Sequence, residues 1–284
     1  MLRTRLLFGS ILVALALGIL LVDAWLAPWY PILLITVIGA ALWSALELRD
    51  LLPDPKPPRR ITLIALLFVL LANWATAWVG FPKCWLFIAC ALAVALGLGF
   101  LYEGIRFRVA GRGAIQRLAF GFWTVGYIGL LATFLVQLRW LPAGLGTTAL
   151  SLAIFVPKAC DTAAYCVGRL IGRHPMTPIL SPKKTWEGAV GGLAGGVLAA
   201  IGIQALAGNS AVPMSWPSTA AFGLVVAIVG AVGDLMESLI KRDSGQKDAS
   251  QAMPGFGGLL DVLDSILFSA PVSYLWIILS VYGV

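Results

Sequence analysis

Residues 61–80 read ITLIALLFVLLANWATAWVG, and none of these side chains is charged. A helix needs about 20 largely apolar residues to cross the roughly 30 Å hydrocarbon core of a bilayer. Backbone N–H and C=O groups cannot stay unpaired in lipid, and an α-helix pairs them within the segment itself. The stretch therefore predicts a transmembrane helix.

Similar apolar runs extend along the whole chain. The composition agrees, because 60% of the residues are hydrophobic and only 12% are charged. A soluble domain usually carries about 25% charged residues, so this chain has too few charges to cover a soluble surface. We predict an all-α, polytopic helical membrane protein with about nine transmembrane helices. The predicted spans lie near 5–22, 30–48, 61–80, 84–102, 118–138, 144–168, 188–207, 219–240 and 265–283.

The run at 144–168 is the least regular of the nine, since it contains Pro157, Lys158 and Asp161. Leaving it out would give eight spans and would place the two richest polar loops on opposite faces of the membrane. We reject that alternative. A transmembrane β-barrel is also disfavoured, because its strands would show segments of about ten residues with alternating polarity instead of solid apolar runs.

The distribution of basic residues indicates the orientation. With nine spans and a cytoplasmic N-terminus, only Lys83 and Arg139 of the 20 Lys and Arg residues fall in external segments. Cytoplasmic segments of membrane proteins are enriched in Lys and Arg. We therefore predict a multi-pass protein of the cell membrane, the inner membrane in a bacterium, with its N-terminus and its active site towards the cytoplasm.

A net charge of +7 is typical of proteins that bind nucleic acids. The topology explains this charge better, because the cations gather in cytoplasmic loops and can also contact anionic lipid headgroups. We predict membrane lipids as partners and no nucleic acid. The four cysteines form no CxxC pair, so they indicate neither a zinc site nor a disulfide framework.

The chain divides by polarity into residues 1–140 and 141–284. The first part holds apolar transmembrane helices with short basic cytoplasmic loops, and we interpret Glu47, Asp50 and Asp54 there as solvated charges at loop edges. The second part is the predicted catalytic region, because its charged residues interrupt apolar runs. Charges at membrane depth are costly and normally face a cavity where they find partners.

The segment 230–268 contains the polar residues that point to chemistry. It reads GAVGDLMESLIKRDSGQKDASQAMPGFGGLLDVLDSILF. Spacings of four and three place Asp234, Ser238 and Lys241 on one face of a helix. Asp234 lies within an apolar span, which indicates a functional role more strongly than a charge in a loop would.

Asp261 and Asp264 are three residues apart and can share a face of the following helix. Carboxylates from two elements can hold Mg²⁺, which prefers oxygen ligands and keeps substrate phosphates among them. Neighbouring cations can balance phosphate charge, and phosphoryl or nucleotidyl transfer depends mainly on positioning and charge stabilisation. These residues alone leave an ion or proton pathway open as an alternative.

Three motifs in the second half of the chain resemble those of the phosphatidate cytidylyltransferases, also called CDP-diacylglycerol synthases. They stand in the same order as in that family and cover about 157–268, which makes the resemblance specific. The motifs are Asp161-Thr-Ala-Ala-Tyr165, Ser181-Pro-Lys-Lys-Thr-Trp-Glu-Gly188, and the segment with Ser238-Leu-Ile-Lys241-Arg242, Lys247-Asp248, Pro254-Gly255, Gly257-Gly258, Asp261 and Asp264.

The resemblance implies a reaction in phospholipid biosynthesis, in which CTP and phosphatidic acid give CDP-diacylglycerol and pyrophosphate. It implies Mg²⁺ as the cofactor, with K⁺ as a candidate second ion, and CTP as co-substrate. Phosphatidic acid and CTP are then the expected small-molecule partners. A homodimer is the candidate assembly.

Motif matching also implies roles for individual residues. Asp234, Asp261 and Asp264 are the implied metal ligands, and together with Lys241 they form the implied catalytic set. Asp161 is implied as a further acidic residue of the site. The residues implied to hold CTP and its phosphates are Lys183, Lys184, Ser238, Arg242, Lys247 and Asp248.

The chain departs from the family pattern at two positions. Phe256 stands where His is usual, and Val262 stands where Arg is usual. These changes remove one titratable group and one phosphate-binding cation but leave the implied metal ligands, so we predict an active, divergent member. They also leave open a CTP-dependent polyprenol kinase or a cytidylyltransferase for another lipid phosphate. An ion-coupled transporter is the remote alternative, and it gives no reason for the SPKKTWEG motif.

Overall fold

Apolar helices make up most of the computed structural model, which describes residues 2–253 and 257–283. Within these residues, eight helices are long and apolar enough to cross a membrane, and a ninth is apolar over Gly9–Ala24. In chain order the elements are α1 (Leu2–Ala24), α2 (Pro31–Leu51), α3 (Arg59–Val79), α4 (Cys84–Ala110), α5 (Ala114–Trp140), α6 (Leu145–Ile171), β1 (Pro175–Thr177), β2 (Ser181–Thr185), α7 (Trp186–Leu206), α8 (Trp216–Asp243) and α9 (Leu260–Tyr282).

These bounds confirm the predicted all-α, polytopic membrane fold, because every predicted apolar run coincides with a helix. The irregular run at 144–168 forms α6, with Pro157 inside the helix. Two helices contain other helical geometries: α3 has a 3₁₀ turn at Ala72–Ala75, and α5 has a π-helical segment at Val125–Leu130. The chain is a multi-pass membrane protein.

The residues that the structure describes divide into two compact units. Unit 1 comprises Met1–Trp140 and Asp248–Leu260, and unit 2 comprises Leu141–Lys247 and Asp261–Val284. Compactness alone does not assign a function, so the division into an N-terminal transmembrane part and a C-terminal catalytic part stays a prediction.

A buried polar network joins α3 and α5 inside unit 1. Gln137 Nε2 donates to Asn73 Oδ1 at 2.8 Å, and Asn73 Nδ2 donates to Thr133 Oγ1 at 3.3 Å. Thr76 Oγ1 donates to Gln137 Oε1 at 3.1 Å. Polar side chains in an apolar helix need such partners, because an unpaired amide in hydrocarbon costs free energy. The network therefore fixes how these two helices pack.

A second buried contact in unit 1 ties α1, α2 and α5 together. Asp23 Oδ2 lies 3.3 Å from Arg139 Nε, and both side chains are almost fully buried. Asp23 Oδ1 accepts hydrogen bonds from the backbone N–H groups of Ile32 and Leu33, in the first turn of α2. A carboxylate at a helix N-terminus satisfies N–H groups that have no partner within the helix.

Glycines allow α7 to approach α6 closely in unit 2. A Cβ atom at Gly195 would lie 2.4 Å from Ala163 Cβ, and one at Gly192 would lie 3.0 Å from the carbonyl oxygen of Cys160. Small residues permit such backbone approach between membrane helices. The approach fixes the polar side chains of α6 relative to the start of α7.

The β1–β2 hairpin fills the connection between α6 and α7. The backbone N–H of Trp186 donates to His174 O at 3.0 Å, and Glu187 Oε1 lies 2.5 Å from His174 Nδ1. Thr185 Oγ1 accepts from the N–H of Gly188 at 3.2 Å and so caps α7. These contacts attach strand β2 to the first turn of α7.

Candidate active site in unit 2

One face of α8 carries acidic and basic side chains. Asp234, Glu237 and Lys241 follow one another at spacings of three and four, which places them on the same side of the helix. Glu237 is fully buried and Lys241 is 9% exposed. The ammonium group of Lys241 pairs with the carboxylate of Glu237 one turn earlier. The four-residue spacing along α8 is therefore sufficient to bring these two charged groups together.

Gly233 brings α9 close to that face. A Cβ atom at Gly233 would lie 2.5 Å from Phe268 Cβ and 3.0 Å from Asp264 O, so a residue with a side chain would push the helices apart. Because of this approach, Asp264 lies opposite Asp234 and Glu237. One carboxylate oxygen from each of the three lies within 4.8 Å of the other two.

Asp261, at the start of α9, lies beside Lys241. Its Oδ1 is 2.5 Å from Lys241 Nζ, and the two side chains are 8% and 11% exposed respectively. Lys241 Nζ also pairs with Glu237. Water screens such a shielded pair much less than it screens a surface pair. Lys241 therefore links an acidic residue of α8 to an acidic residue of α9.

Helix α6 contributes Lys158 and Asp161. Lys158 Nζ lies 3.0 Å from Asp161 Oδ2 and 3.6 Å from Asp264 Oδ1. Ser265 Oγ donates a hydrogen bond to Asp161 Oδ2 at 2.9 Å. Charges in a membrane-spanning helix are tolerated when they find partners of this kind, so α6 and α9 are joined through the site.

Strand β2 contributes Lys184. Its Nζ lies 2.7 Å from Asp234 Oδ2, and about a quarter to a third of each side chain is exposed. The Lys158–Asp161 pair is exposed to the same extent, whereas Glu237 and Asp264 form the buried side of the cluster. A charged substrate can therefore reach the cluster at either of the two partly exposed pairs.

The cluster carries more acidic than basic groups. With every group ionised, five carboxylates face three ammonium groups, which leaves two negative charges uncompensated. Uncompensated charge away from water is costly, so the cluster favours a cation as ligand. The carboxylates are those of Asp161, Asp234, Glu237, Asp261 and Asp264, and the ammonium groups are those of Lys158, Lys184 and Lys241.

The oxygen atoms of Asp234, Glu237 and Asp264 form a donor set that fits a divalent ion. Mg²⁺ prefers oxygen ligands, and carboxylates are its usual protein ligands. Glu237 Oε1 is buried and accepts no hydrogen bond from the residues that the structure describes. A buried carboxylate oxygen without a partner costs free energy, and a bound cation would remove that cost.

The other predicted site residues take no part in the ion pairs of the cluster. Ser238 is buried on α8. Arg242 Nε donates to Leu180 O at 3.1 Å, which attaches the end of α8 to the β1–β2 hairpin. Three predicted residues are exposed and form no ion pair or hydrogen bond with the described part of the chain: Lys183, Lys247 and Asp248.

The two departures from the family pattern differ in how far the structure describes them. Phe256 lies outside the described residues, together with Pro254 and Gly255. Val262 lies in the first turn of α9, where it is partly buried. The predicted effect of the two changes on substrate choice stays a prediction.

The prediction that Glu47 is a solvated charge is wrong, because the residue is only 5% exposed. Inside unit 1 its Oε1 accepts from Leu259 N at 3.1 Å and from Ser250 Oγ at 2.7 Å, while its Oε2 accepts from Leu260 N at 2.8 Å. Leu260 is the first residue of α9. A carboxylate of α2 thus caps the helix whose next residue is Asp261.

Three functional candidates were not assigned a role from the sequence: Lys158, Glu237 and Glu47. Lys158 with Asp161, and Glu237 with Lys241, follow the three- and four-residue spacings of a helical ion pair, so that pattern could have found them. Glu47 offered no such signal, because its partners lie more than 200 residues further along the chain.

Comparison with known proteins identifies the family. A sequence model described as "Cytidylyltransferase family" matches residues 3–280, which is almost the whole chain. The chain belongs to the cytidylyltransferase family. The family resemblance stated from the three motifs is thereby confirmed.

Individual relatives agree with this family assignment. A Brucella suis protein named phosphatidate cytidylyltransferase is 32% identical, and the match covers 77% of this chain and 92% of that protein. Proteins of the same name from Synechocystis sp. and Mycobacterium bovis are 41% and 46% identical, over 49% and 43% of this chain. These two matches cover 45% and 38% of the relatives' own lengths, so they span less than half of either protein.

Proposed function

We propose that this cytidylyltransferase-family chain transfers the cytidylyl group of CTP to phosphatidic acid, giving CDP-diacylglycerol and pyrophosphate. The observation that carries the proposal is the cluster of carboxylates and lysines contributed by α6, β2, α8 and α9. The names of the Brucella, Synechocystis and Mycobacterium relatives support the same reaction. A phospholipid substrate also agrees with a membrane-embedded site.

In this reaction an oxygen of the lipid phosphate forms a bond to the α-phosphorus of CTP. The bond from that phosphorus to the oxygen bridging to the β-phosphate breaks, and pyrophosphate leaves with the electron pair. The main demand is to position two anions and to stabilise the charge on the leaving group. No covalent intermediate with the protein is needed.

We assign Lys184 to contact with the triphosphate, because it belongs to the SPKKTWEG motif and its pair with Asp234 is partly exposed. Phosphate oxygens would replace Asp234 as its partner. Lys183, Arg242 and Lys247 are exposed cations that we assign to the outer phosphates. Lys241 is buried between two carboxylates, so we assign it to holding Glu237 and Asp261 in position.

For the cofactor we propose Mg²⁺ held by Asp234, Glu237 and Asp264, whose oxygens lie within 4.8 Å of one another. When bound, the ion would supply charge stabilisation for the phosphate oxygens of CTP. Asp261 stays a predicted ligand, and its nearest described partner is Lys241. K⁺ as a second ion also stays a prediction.

We further propose that the site faces the cytoplasm, where CTP is made, and that the protein lies in the inner membrane of a bacterium. Bacterial relatives and the bias of Lys and Arg towards one set of loops support this orientation. A homodimer stays a prediction.

The test is an assay of the purified protein with phosphatidic acid and CTP labelled at the α-phosphorus or, separately, at the γ-phosphorus. The proposal expects the α-label in a lipid product and the γ-label in pyrophosphate. A lipid that carries the γ-label would instead identify a kinase. Absence of any labelled lipid with Mg²⁺ present would reject both reactions.

A further inference from the structure

A cavity of about 400 Å³ opens in unit 1, where the ends of α2, α3 and α4 meet the start of α5. Its volume is within the range of roughly 300–1,000 Å³ that is usual for small-molecule sites. Among residues 2–253 and 257–283, no acidic residue lines it. The basic residues that line it are Arg49, Lys56, Arg59, Arg60, Arg106 and Arg117.

Several cations of the lining already have partners within the chain. Arg117 forms a bidentate pair with Glu103, in which Nη2 lies 2.7 Å from Oε2, and Arg49 Nη1 lies 3.7 Å from Asp50 Oδ1. Lys56 Nζ donates to Asp50 O at 2.8 Å, and Arg106 Nη1 donates to the Tyr102 hydroxyl at 3.2 Å. Since like charges around one cavity repel one another, an anion bound there would stabilise these cations.

Arg59 and Arg60 are the cations most available to such an anion. Both are exposed, and neither forms an ion pair or hydrogen bond through its side chain with residues 2–253 or 257–283. The general enrichment of Lys and Arg at cytoplasmic helix ends accounts for their presence. It does not account for cations from four separate segments around a single cavity.

We propose that unit 1 binds an anionic phospholipid, with the headgroup phosphate in the basic cavity. Guanidinium groups bind phosphate oxygens through paired hydrogen bonds. Basic pockets between transmembrane helices bind the headgroups of anionic lipids in this way. A lipid also keeps its acyl chains among apolar surfaces while its phosphate enters the cavity, which a free phosphate cannot do.

This site is composed of unit 1 residues, whereas the proposed reaction uses side chains of unit 2. Lipid binding can be measured without CTP, so its result does not depend on whether cytidylyl transfer is the correct reaction. Phosphatidylglycerol is a suitable probe, because its phosphate is a diester and is not the phosphomonoester that the proposed reaction consumes.

The experiment measures phosphatidylglycerol bound to the full-length protein in detergent by native mass spectrometry. Arg59→Gln with Arg60→Gln should weaken binding about 25-fold, since each cation near an anionic surface contributes about 1 kcal/mol, a factor of about five. The matched control is Arg108→Gln with Arg112→Gln, which removes the same charge from two exposed residues outside the cavity lining. The control should change binding less than twofold.

Glycerol 3-phosphate tests the headgroup alone and should bind far more weakly than the lipid. Phosphatidylcholine tests the need for a net negative charge and should also bind weakly.

Three results would overturn the proposal. The first is equal weakening by the two arginine double variants, which would mean that overall charge alone attracts lipid. The second is unchanged binding in Arg59→Gln with Arg60→Gln, and the third is glycerol 3-phosphate binding as tightly as phosphatidylglycerol. Size-exclusion profiles and melting temperatures check that each variant is folded. If an arginine double variant fails this check, the comparison of phosphatidylglycerol with glycerol 3-phosphate and phosphatidylcholine on the unaltered protein decides.

Discussion

Lys241 illustrates how single residues organise the site. It lies in an apolar helix, yet its ammonium group is placed between Glu237 and Asp261, which come from different helices. A lysine that is shielded from water is stable when carboxylates surround it. Removing either partner would leave the remaining charges unbalanced, so residues of this cluster are expected to act together.

Asp234→Asn is the first prediction at this scale. Turnover of CTP should fall about 10²–10³-fold, the usual cost of removing one group that stabilises charge in a transition state. The fold should survive, because Asp234 is partly exposed. The measurement is the initial rate of lipid product formation. Asp243→Asn, an exposed carboxylate on the same helix, serves as the control and should keep nearly full activity.

Magnesium dependence distinguishes the role of Glu237 from that of Asp261. If Glu237 holds the ion, Glu237→Gln should raise the Mg²⁺ concentration needed for half-maximal activity by about tenfold or more. Asp261→Asn, which loses a contact to Lys241, should lower turnover with a smaller change in Mg²⁺ dependence. Magnesium titrations of both variants at saturating CTP provide the comparison. A larger Mg²⁺ shift for Asp261→Asn would assign the ligand role to Asp261 instead.

At the scale of elements, a close helix approach and a capping contact each act within one unit. Within unit 2, Gly233 allows α8 to approach α9 closely. Within unit 1, Glu47 accepts a hydrogen bond from the backbone N–H of Leu260. Gly258 shares in this arrangement, because a Cβ atom there would lie 2.7 Å from Glu47 Oε2. The glycine-rich sequence before α9 thus has a structural reason in addition to any contact with phosphate.

Glu47→Gln tests this capping contact. The substitution removes the charge and one acceptor while keeping the size, and it should lower the free energy of unfolding by about 1–2 kcal/mol. Thermal unfolding in detergent measures the effect as a drop of several degrees. Turnover should fall as well, since Asp261 directly follows the capped residue. Asp50→Asn, whose carboxylate is 74% exposed, is the control and should change neither quantity.

At the scale of the whole molecule, the composition determines the solvent in which the chain folds. Only 12% of the residues are charged, and many large apolar side chains are exposed; Leu206 and Trp25 are about nine-tenths exposed. Such exposure would lead to aggregation in water, but it suits contact with lipid. The charges that remain are placed at helix ends or in the buried clusters.

The orientation of the chain in the membrane can be tested by labelling single cysteines from each side. In a chain whose four cysteines are replaced by alanine, Gln246→Cys should react with a membrane-impermeant maleimide only from the cytoplasmic side. Lys83→Cys should react only from the outside. Both residues are exposed. Labelling of intact cells compared with inverted vesicles measures the two sides, and the reverse pattern would overturn the proposed topology.

The sequence predicted the helices because each one is an apolar run of the length that a bilayer requires. It also predicted Asp234, Lys241, Asp261 and Asp264 as candidates, since charges inside such runs are rare and costly. The sequence did not assign a role to Glu237 or Lys158, although each stands three or four residues from an oppositely charged partner on its own helix. A charge near the end of a span can equally well be solvated, and only the packing of the helices shows which side chains are buried.

The sequence by itself therefore determined the membrane environment, the succession of apolar helices and the family, because these depend on local composition and on motifs contiguous in the chain. Tertiary structure alone decided which charges from different elements meet. Lys158 of α6 lies near Asp264 of α9 where Gly230 and Gly233 let α8 pack closely against both helices: a Cβ atom at Gly230 would lie 3.0 Å from Pro157 Cβ, and one at Gly233 would lie 2.5 Å from Phe268 Cβ. Such pairings depend on the distance between helix axes, which local composition does not specify.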